Sequence, residues 1–322
     1  MKEKRRVLVC GASGFLGSNI FERLQQRKDL NVCGTFFSKS GFGSISNIDY
    51  ANFQNKDYCL NLTRGVDTLV QCAALTAGSG RKDEWGNYSR INEQINLNLV
   101  DAAVRNGAKH FIFLSCSVMY PTNLNHPVKE EDVDEDGIAS IYLQGAVGKL
   151  NSERRMWAES FGDTSFTVVR HSNIYGPRDK FDLQNSHVLA ATIQKAMTSQ
   201  NGQLNMHGNM NIVRDLLYVS DFVDFIEDSV VFGPREKFII FNVGAGNGVS
   251  ISELARKIIK ISEKNLRIVL ELEKHMAYMV PTSIVLDIKK ARNIMGWKPV
   301  VSLGEGIRKT IEWWKENYEQ KS

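Results

Sequence analysis

The chain alternates short apolar runs with longer amphipathic stretches. The apolar runs are rich in Val, Ile and Phe and are nearly continuous, which is typical of strands buried on both faces of a parallel sheet. The amphipathic stretches repeat apolar positions three and four residues apart, which predicts helices that cross over between those strands. The predicted strands are Val7–Cys10, Asn31–Phe36, Thr68–Cys72, His110–Leu114, Phe166–Arg170 and Phe238–Val243. The predicted helices are Phe15–Arg27, Tyr88–Asn106, Gly148–Phe161, His187–Ser199, Val219–Phe232, Ile251–Ser262 and Leu303–Tyr318.

This alternation predicts an α/β fold with a doubly wound parallel sheet. The rhythm breaks after about Gly176, and Gly- and Asn-rich pieces such as Asn201–Asn211 follow. We therefore expect residues 1–175, joined again by about 214–245, to form the sheet domain. Residues 176–213 and 246–322 are expected to form a smaller C-terminal lobe that binds the substrate.

Composition narrows the class of protein and its partners. The 322 residues include 43% apolar residues, and 40 Lys and Arg face 36 Asp and Glu, so the chain is expected to be globular with a net charge of +4. Because the charges are interspersed, nothing calls for a nucleic-acid or membrane partner, although a mild positive bias suits an anionic small substrate. The five cysteines form no CxxC pair, so we expect free thiols, no metal site and a cytoplasmic protein.

A glycine motif directly follows the first predicted strand and opens the first predicted helix. Gly11, Gly14 and Gly17 form the pattern GxxGxxG. Such glycines allow a tight turn and a close approach of the backbone to a pyrophosphate, while the helix N-terminus supplies amide donors. The motif predicts a dinucleotide site of the Rossmann type, held by the turn residues Gly11, Ser13, Gly14, Phe15, Leu16 and Gly17.

The second predicted strand bears on the choice of dinucleotide. It is followed by Ser38 and Lys39, and no acidic residue is present there to hold a ribose 2′-hydroxyl. These two residues could hold the 2′-phosphate of NADP, or they could be solvated loop residues in a protein that binds NAD. The cofactor is therefore expected to be NAD or NADP, with the choice open.

Further motifs follow the glycine motif in a recognisable order. They are Val66–Ala74, Asn92, Phe111–Pro121, Ser172–Pro177, Asn185–His187, Arg214–Asp221, Phe241–Gly244, Asp287 and Gly296–Pro299. With them the chain resembles, over essentially its whole length, the extended short-chain dehydrogenase/reductase family of NAD-dependent nucleotide-sugar epimerases, dehydratases and reductases. Within that family it is most similar to the GDP-L-fucose synthase group.

The resemblance implies roles for particular residues. The cofactor would be held at three places: Asn61 and Leu62 at the adenine, Ala73, Ala74 and Leu75 at its middle, and Asn92 beside them. The nucleotide sugar would be held by Asn173, His187, Val188, Lys195 and Arg214. Lys195 and Arg214 suit the two negative charges of a nucleotide diphosphate, although either could instead be a solvated surface cation.

The chain departs from the family at its catalytic residues. Relatives use a Tyr-x-x-x-Lys pair, in which the Lys binds the nicotinamide ribose and lowers the pKa of the phenol, so that the phenol can accept the hydroxyl proton during hydride transfer. Lys149 matches that Lys, but the position of the Tyr is Gly145. The position of the assisting Ser or Thr is Cys116, and Val118 stands where the GDP-L-fucose synthase group has an epimerising Cys.

Four side chains remain candidates for the proton-transfer group. Tyr142 precedes Lys149 by seven residues and would approach it only if Leu143–Gly148 is not helical; otherwise it is a tyrosine at the rim of the cleft. Cys116 and Ser117 follow a central strand, where α/β sheets place ligands, but an ordinary thiol is mostly protonated at neutral pH. His187 titrates near neutrality and either transfers a proton or hydrogen-bonds the substrate. The other histidines of this region, His110, His126 and His171, are interpreted as structural.

Three functions are compatible with these residues. The first is an NAD(P)-dependent oxidoreductase that acts on a nucleotide-linked sugar, a GDP-hexose or GDP-heptose, with hydride transfer at a ring carbon such as C4. The second is an epimerase or reductase that uses a repositioned Tyr142, and the third is a non-catalytic nucleotide-sugar-binding subunit. The resemblance also implies a homodimer formed through a four-helix bundle, in which Tyr88–Asn106 and Gly148–Phe161 would take part.

Overall fold

The computed structural model describes residues 4–37, 48–76, 85–122, 124–184, 186–271 and 283–319. Its strands are β1 Arg5–Cys10, β2 Leu30–Phe36, β3 Ile48–Tyr50, β4 Thr68–Gln71, β5 His110–Cys116, β6 Ser165–His171, β7 Asn173–Tyr175, β8 Gln203–His207, β9 Val213–Tyr218, β10 Phe238–Val243, β11 Gly248–Ser250, β12 Arg267–Glu271 and β13 Ser283–Ile284. Its α-helices are α1 Phe15–Gln25, α2 Lys56–Leu62, α3 Trp85–Arg105, α4 Leu143–Glu159, α5 Val188–Thr198, α6 Val219–Phe232, α7 Ile251–Ser262, α8 Lys289–Met295 and α9 Leu303–Tyr318.

A parallel sheet in the order β10-β6-β5-β4-β1-β2-β3 forms the centre of the fold. Every neighbouring pair in it is parallel. The chain moves outward in one direction from β1 to β2 and β3, and in the other from β4 onward, as a doubly wound sheet requires. The six strands predicted from apolar runs all lie in this sheet, so the predicted α/β fold is confirmed.

Successive residues of the central strands serve two separate cores. In β1, Val7 and Val9 share a buried cluster with residues of α1 and α6. Leu8 and Cys10 share the other cluster, with residues of α2, α3 and α4. Because side chains alternate across a strand, burial on both faces demands the continuous apolar runs that the sequence shows.

The smaller lobe contains two further sheets. Strands β7, β9, β11 and β13 form one, and β8 pairs with β12 in the other. This corrects the expectation that residues from about 214 return to the central sheet, because β9 belongs to the small sheet and only α6 and β10 return. The apolar run of β9 could not reveal this, since a buried strand has the same pattern in either sheet. The division into two domains stays a prediction.

Helix α4 begins at Leu143, not at Gly148 as predicted. Its first turn closes when the Ala146 N–H donates to Tyr142 O over 2.9 Å. Gly145 and Gly148 weaken the intrinsic helix propensity, but α4 packs on α3, where a Cβ added to Gly148 would make an ordinary contact with Ser89 O at 3.5 Å. Packing of this kind stabilises helices beyond their propensity.

The carboxyl ends of the central strands meet at one edge of the sheet. There Cys10 of β1 pairs with Gln71 of β4, and Cys116 of β5 pairs with His171 of β6. Open α/β sheets bind ligands at this edge, next to the reversal of strand order. Among the described helices, none is both long and apolar enough to cross a lipid bilayer.

Candidate active site

The turn between β1 and α1 brings backbone segments very close together. A Cβ on Gly17 would lie 2.1 Å from Gly11 O, and a Cβ on Gly11 would lie 2.7 Å from Ala73 Cα. Gly11 also has a left-handed φ of 78°, and its N–H donates to Thr35 Oγ1 of β2 over 3.0 Å. Gly14 differs, because it is exposed at the N-cap of α1 and a Cβ there would meet only Gly11 O, at 3.4 Å. Packing therefore requires Gly11 and Gly17, whereas Gly14 leaves the helix N-terminus open to an anion.

The remaining turn residues fit the same site. Ser13, Phe15 and Leu16 are half-buried and follow the open backbone into the first turn of α1. No acidic residue lies in that turn, so the positive end of the helix is not neutralised there. A cradle that a Cβ would fill, followed by a helix N-terminus, fits the pyrophosphate of a dinucleotide.

Two side-chain amides shape the loop after β4. The Gln71 side chain donates to Ala73 O over 2.9 Å and accepts from Ala73 N over 3.2 Å. Asn92 does the same for Leu75, accepting from its N–H over 2.7 Å and donating to its carbonyl over 2.9 Å. Ala74 lies exposed between them. The structure thus uses Asn92 to hold Leu75; its direct contact with the cofactor stays a prediction.

A buried hydrogen-bond chain connects this loop to α4. Gln71 Nε2 donates to Asn96 Oδ1 over 2.9 Å, and Asn96 Nδ2 donates to Ser152 Oγ over 3.1 Å. Ser152 Oγ in turn donates to Gly148 O over 2.8 Å. In the sequence, the one indication of these hydrogen bonds is Asn96, a polar residue at a core-facing helix position. These hydrogen bonds hold α4, and with it Lys149, against the loop after β4.

Lys149 extends from α4 to the carboxyl end of β5. Its Nζ donates to Leu114 O over 2.6 Å and lies 5.1 Å from the centre of the Phe113 ring. One turn earlier, Gly145 is exposed, and a Cβ there would meet only Ser89 Oγ, at 3.7 Å. Position 145, where the resemblance implies a phenol, therefore accommodates a Cβ one helical turn before the Lys149 ammonium group; that these two positions are those of the family pair stays a prediction.

Tyr142 does not take the place of that phenol. It is the N-cap of α4, and Leu143–Gly148 is helical, so it lies two helical turns, about 10 Å along the axis, from Lys149. The hypothesis that it replaces the missing tyrosine is therefore wrong in its geometry. The phenol lies near Arg214: burial lowers the pKa of Arg214, and the electrostatic effect of Tyr142 opposes that shift.

Cys116 and Ser117 end β5 beside Lys149. Burial raises the pKa of the Cys116 thiol, and the nearby Lys149 charge only partly offsets this. The thiol therefore stays protonated at neutral pH, which argues against Cys116 as an acid–base group. Ser117 is buried in a short 3-10 turn, and Val118 packs half-buried against an apolar cluster.

His187 stands at the N-cap of α5 with its side chain 63% exposed. Its Nδ1 lies 3.2 Å from Oδ1 of Asp179, whose side chain is 1% exposed. The hydrogen bond to Asp179 raises the pKa of His187, with burial opposing the shift. A raised pKa increases the protonated fraction of His187 near neutral pH.

His171 lies beside this site, and its interpretation as a structural residue stays a prediction. It ends β6 beside Cys116, and its Nδ1 is 2.8 Å from Ser172 O, so this nitrogen carries the proton and Nε2 is an acceptor. Burial lowers the pKa of His171 to about 4, and the charges of Lys149 and His187 add to that effect. Lys149 and His187 therefore both lie near the neutral ring of His171. Its place directly after a predicted central strand was the available indication.

The residues assigned to the nucleotide sugar lie across the cleft, in the smaller lobe. Asn173 Nδ2 donates to Asp215 O over 3.2 Å, and half-buried Arg214 donates from Nη1 to its neighbour Val213 O. Val188 is half-buried in the first turn of α5. The carboxylate of Asp215 accepts three backbone N–H bonds from two other segments of this lobe, which holds β9 and therefore Arg214 in place.

Lys195 borders a separate cavity of about 320 Å³ between α5 and the β8–β12 pair. Its Nζ donates to Asn205 O over 3.1 Å, and His207 and Glu271 line the same cavity. The structure places Lys195 at this cavity, and its contact with the nucleotide sugar stays a prediction.

The adenosine end of the predicted cofactor site is described in part. Asn61 is exposed and Leu62 half-buried at the end of α2, and Leu62 packs on the core cluster that also receives Ala73. Ser38 and Lys39 lie outside the described residues.

Residues 7–244 match the NAD dependent epimerase/dehydratase family. The chain belongs to this family. GDP-L-fucose synthase of Escherichia coli strain K12 is 24% identical, over 98% of this chain and 98% of its own length. GDP-mannose 3,5-epimerase 1 of Oryza sativa subsp. japonica is 27% identical, over 99% of this chain and 84% of its own length.

Solved structures share the fold. UDP-glucose 4-epimerase of Thermotoga maritima, solved with UDP-glucose, has a TM-score of 0.84 at 23% identity and covers 97% of this chain and 99% of its own. UDP-glucose 4-epimerase of Thermus thermophilus, a complex with NAD, has a TM-score of 0.81 at 21% identity with the same coverage. The predicted family, α/β fold and NAD(P) cofactor are confirmed, and the chain is a member of a family of NAD-dependent nucleotide-sugar epimerases, dehydratases and reductases.

Proposed function

We propose that this family member is an NAD(P)-dependent oxidoreductase that acts on a nucleotide-linked sugar, a GDP-hexose or GDP-heptose, with hydride transfer at a ring carbon such as C4. One observation carries the proposal: Lys149 is fixed in the cleft by Leu114 O, while Gly145 leaves the place of the usual phenol open. The ammonium group is retained for a redox step, and the proton must be handled by another side chain. The GDP-sugar relatives support the choice of nucleotide.

When bound in the glycine turn, the nicotinamide cofactor supplies or accepts a hydride. Lys149 holds a positive charge at the carboxyl end of β5, where it stabilises negative charge that develops on the sugar oxygen. In the direction of oxidation, the C–H bond is lost as hydride and the O–H proton passes to His187, so that a C=O bond forms. His187 suits this role because its imidazole is exposed and hydrogen-bonded at only one nitrogen among the described residues.

The nucleotide diphosphate is assigned to the smaller lobe. Arg214 supplies a half-buried guanidinium there, which can bind phosphate oxygens with two parallel hydrogen bonds. Asn173 lies on the neighbouring strand β7 and offers an amide to the sugar. Lys195 can neutralise charge from its own pocket. We do not propose C3/C5 epimerisation, since Val118 is an apolar packing residue where that reaction would need a thiol.

A second candidate function follows from the same Gly145. A chain that lacks the phenol can be a non-catalytic subunit that binds nucleotide sugar and dinucleotide and acts through a partner enzyme. Tight binding of a GDP-sugar without any change in nicotinamide absorbance would favour it over the oxidoreductase.

The test is nicotinamide absorbance with purified protein, either dinucleotide in either redox state, and a panel of GDP-hexoses, GDP-heptoses and their 4-keto forms. A change with one sugar and matching sugar product supports the oxidoreductase; no change with any sugar refutes it. Gly145→Tyr with Gly145→Phe as its matched control adds a second test. The Cβ of either side chain fits at the exposed position 145, and only the phenol can transfer a proton, so we expect Tyr to raise turnover at least tenfold over Phe.

We also propose that the protein forms a homodimer through α3 and α4. Trp157 and Phe161 support this, because they are 55% and 79% exposed and pack edge to face against each other on the outer side of α4. Leu99, by contrast, is fully buried in the core and takes no part. Light scattering should give a dimer for the native protein and a monomer for Trp157→Glu; a monomeric native protein would refute the proposal.

A further inference from the structure

Asp179 is a buried carboxyl group that the functions above do not use. Its Oδ1 accepts from the Lys180 N–H over 2.8 Å and faces His187 Nδ1 at 3.2 Å. Its Oδ2 is buried and has no hydrogen-bond partner among the described residues. Leaving a buried carboxylate oxygen without a partner is costly, so the position is better explained by what Asp179 does for His187 than by stability alone.

The segment that carries Asp179 is fixed against the helix of the dinucleotide turn. Asn19 of α1 donates to Pro177 O over 3.3 Å, and Glu22 of α1 forms an ion pair with Arg178 over 2.6 Å. Gly176, at a φ of 148°, lies so close to Val219 that a Cβ would be 2.6 Å from its Cγ1. Asp179 therefore has a set position relative to the cofactor site.

The segment is also tied to the loop after β4. Lys180 Nζ donates to Thr76 Oγ1 over 2.7 Å, across the mouth of the cleft. His187 is therefore under the electrostatic influence of both the Asp179 carboxylate and the Lys180 ammonium group. The first raises the pKa of His187 and the second opposes that effect more weakly. His171 faces the same region as a neutral ring.

The bond to Asp179 selects one nitrogen of His187 for chemistry. A carboxylate accepts, so Nδ1 carries a proton in both the neutral and the charged ring. Nε2 has no hydrogen-bond partner in the part of the chain that the structure describes, and the ring is 63% exposed. The nitrogen that gains and loses a proton is therefore Nε2, which is the one left accessible to substrate.

We propose that Asp179 is a positioning residue that orients His187, so that Nε2 acts as the proton donor when a nucleotide-linked keto sugar is reduced. The inference rests on the proposed function. In the step, the carbonyl carbon receives hydride from the reduced dinucleotide, and the electron pair of the C=O bond moves to oxygen. That oxygen takes the proton from Nε2, which leaves a hydroxyl group and a neutral imidazole.

The proposal predicts opposite pH profiles for the two directions. Reduction requires the protonated ring, so its rate should fall as pH rises through the pKa of His187. Oxidation requires the neutral ring, so its rate should rise over the same range. Asp179→Asn keeps an acceptor for Nδ1 but removes the charge. The fall in the reduction rate and the rise in the oxidation rate should therefore both move to lower pH by the same amount.

The deciding experiment is an NMR titration of the full-length protein labelled with ¹⁵N-histidine, using His187→Gln to assign the signal. In the native protein we expect the neutral ring to carry its proton on Nδ1. In Asp179→Asn we expect the midpoint to fall toward the ordinary histidine value. Asp182→Asn is the matched control, because Asp182 lies in the same segment and its Oδ1 accepts from Gln184 N, and it should leave the midpoint unchanged.

The outcomes separate the inference from the proposed function. A native neutral ring protonated on Nε2, which needs no variant to observe, would overturn the proposal, and so would an equal midpoint in native protein and folded Asp179→Asn. A lowered midpoint in a protein that converts no sugar would support the Asp179–His187 pairing and refute the oxidoreductase. A lowered midpoint with both pH profiles displaced alike would support both.

Discussion

Two glycines of one motif should fail for different reasons when each is replaced by alanine. A methyl group on Gly17 would lie 2.1 Å from Gly11 O, 2.8 Å from Gly11 C and 3.1 Å from Ala12 Cα. All three are backbone atoms that cannot rotate away, so α1 must move by roughly 1 Å, and overpacking of this kind costs about 1–3 kcal/mol. We expect the upper end of that range, and a melting temperature lower by roughly 3–5 °C for a chain of 322 residues.

Gly14→Ala should instead leave a stable protein that binds dinucleotide poorly. Its backbone, at φ −81° and ψ 171°, suits alanine, and its Cβ would meet only Gly11 O, at 3.4 Å. Replacing glycine here reduces the entropy of the unfolded chain, but alanine is a poorer N-cap residue than glycine, so we expect a net change in stability under about 1 kcal/mol. The methyl group would stand at the helix N-terminus where the pyrophosphate approaches, so we expect the Kd for NADH or NADPH to rise at least tenfold, or about 1.4 kcal/mol.

The assay pairs thermal unfolding with calorimetric titration of NADH and NADPH for each variant. Gly304→Ala is the control, because no atom lies within 4 Å of its Cβ position and it is remote from the turn in sequence, near the start of α9. It should keep native affinity and gain a little stability. Native stability in Gly17→Ala would refute the argument from crowding, and native affinity in Gly14→Ala would refute the placement of the pyrophosphate.

Three further substitutions test the groups that support the site. Glu153 and Arg170 form a buried ion pair, with 2.6 Å between Oε2 and Nη2. Glu153→Gln would leave the buried guanidinium without a carboxylate, so we expect urea denaturation to show a free energy of unfolding lower by roughly 3–5 kcal/mol. A loss under about 1 kcal/mol would contradict this. Asp215→Asn should cost about 2–3 kcal/mol, because an NH₂ group would face backbone N–H donors, and unchanged stability would show that those bonds matter little. His187→Gln tests whether protonation of His187 stabilises the fold. Because the pKa of His187 is raised in the folded protein, its contribution to stability is fully present below the unfolded pKa near 6.5 and is lost as pH rises through the folded pKa. The stability deficit of that variant should therefore be larger at pH 6 than at pH 9, and an equal deficit would argue against a charged His187.

The pattern of apolar residues predicted most of the central sheet and its helices, because continuous apolar runs are typical of strands buried on both faces and a spacing of three and four residues is typical of helices. The helices Val219–Phe232, Ile251–Ser262 and Leu303–Tyr318 have the predicted bounds, since their apolar stripes and flanking caps are local features. The start of α4 was missed, because Gly145 and Gly148 weaken the local propensity and packing on α3 decides the outcome.

The candidate site was predicted unevenly. Gly11, Gly17 and Lys149 could be identified because their motifs are contiguous or have fixed spacing. His171 and Asp179 were missed, and the partners of both are set by strand pairing and by a loop that returns to α1. Asn92 was identified, but its amide serves Leu75, which is visible only when α3 lies beside the loop.

By itself, the sequence determined six of the seven strands of the central sheet, most of the helices, the glycine turn and the family. Each of these follows from side-chain patterns or from residues close together in the chain. Only the tertiary structure decided that Tyr142 lies two helical turns from Lys149, that Asp179 hydrogen-bonds to His187, and that Lys149 and His187 both lie near His171. Proton transfer depends on distances of about 3 Å between groups from different elements, and such distances arise only when those elements pack.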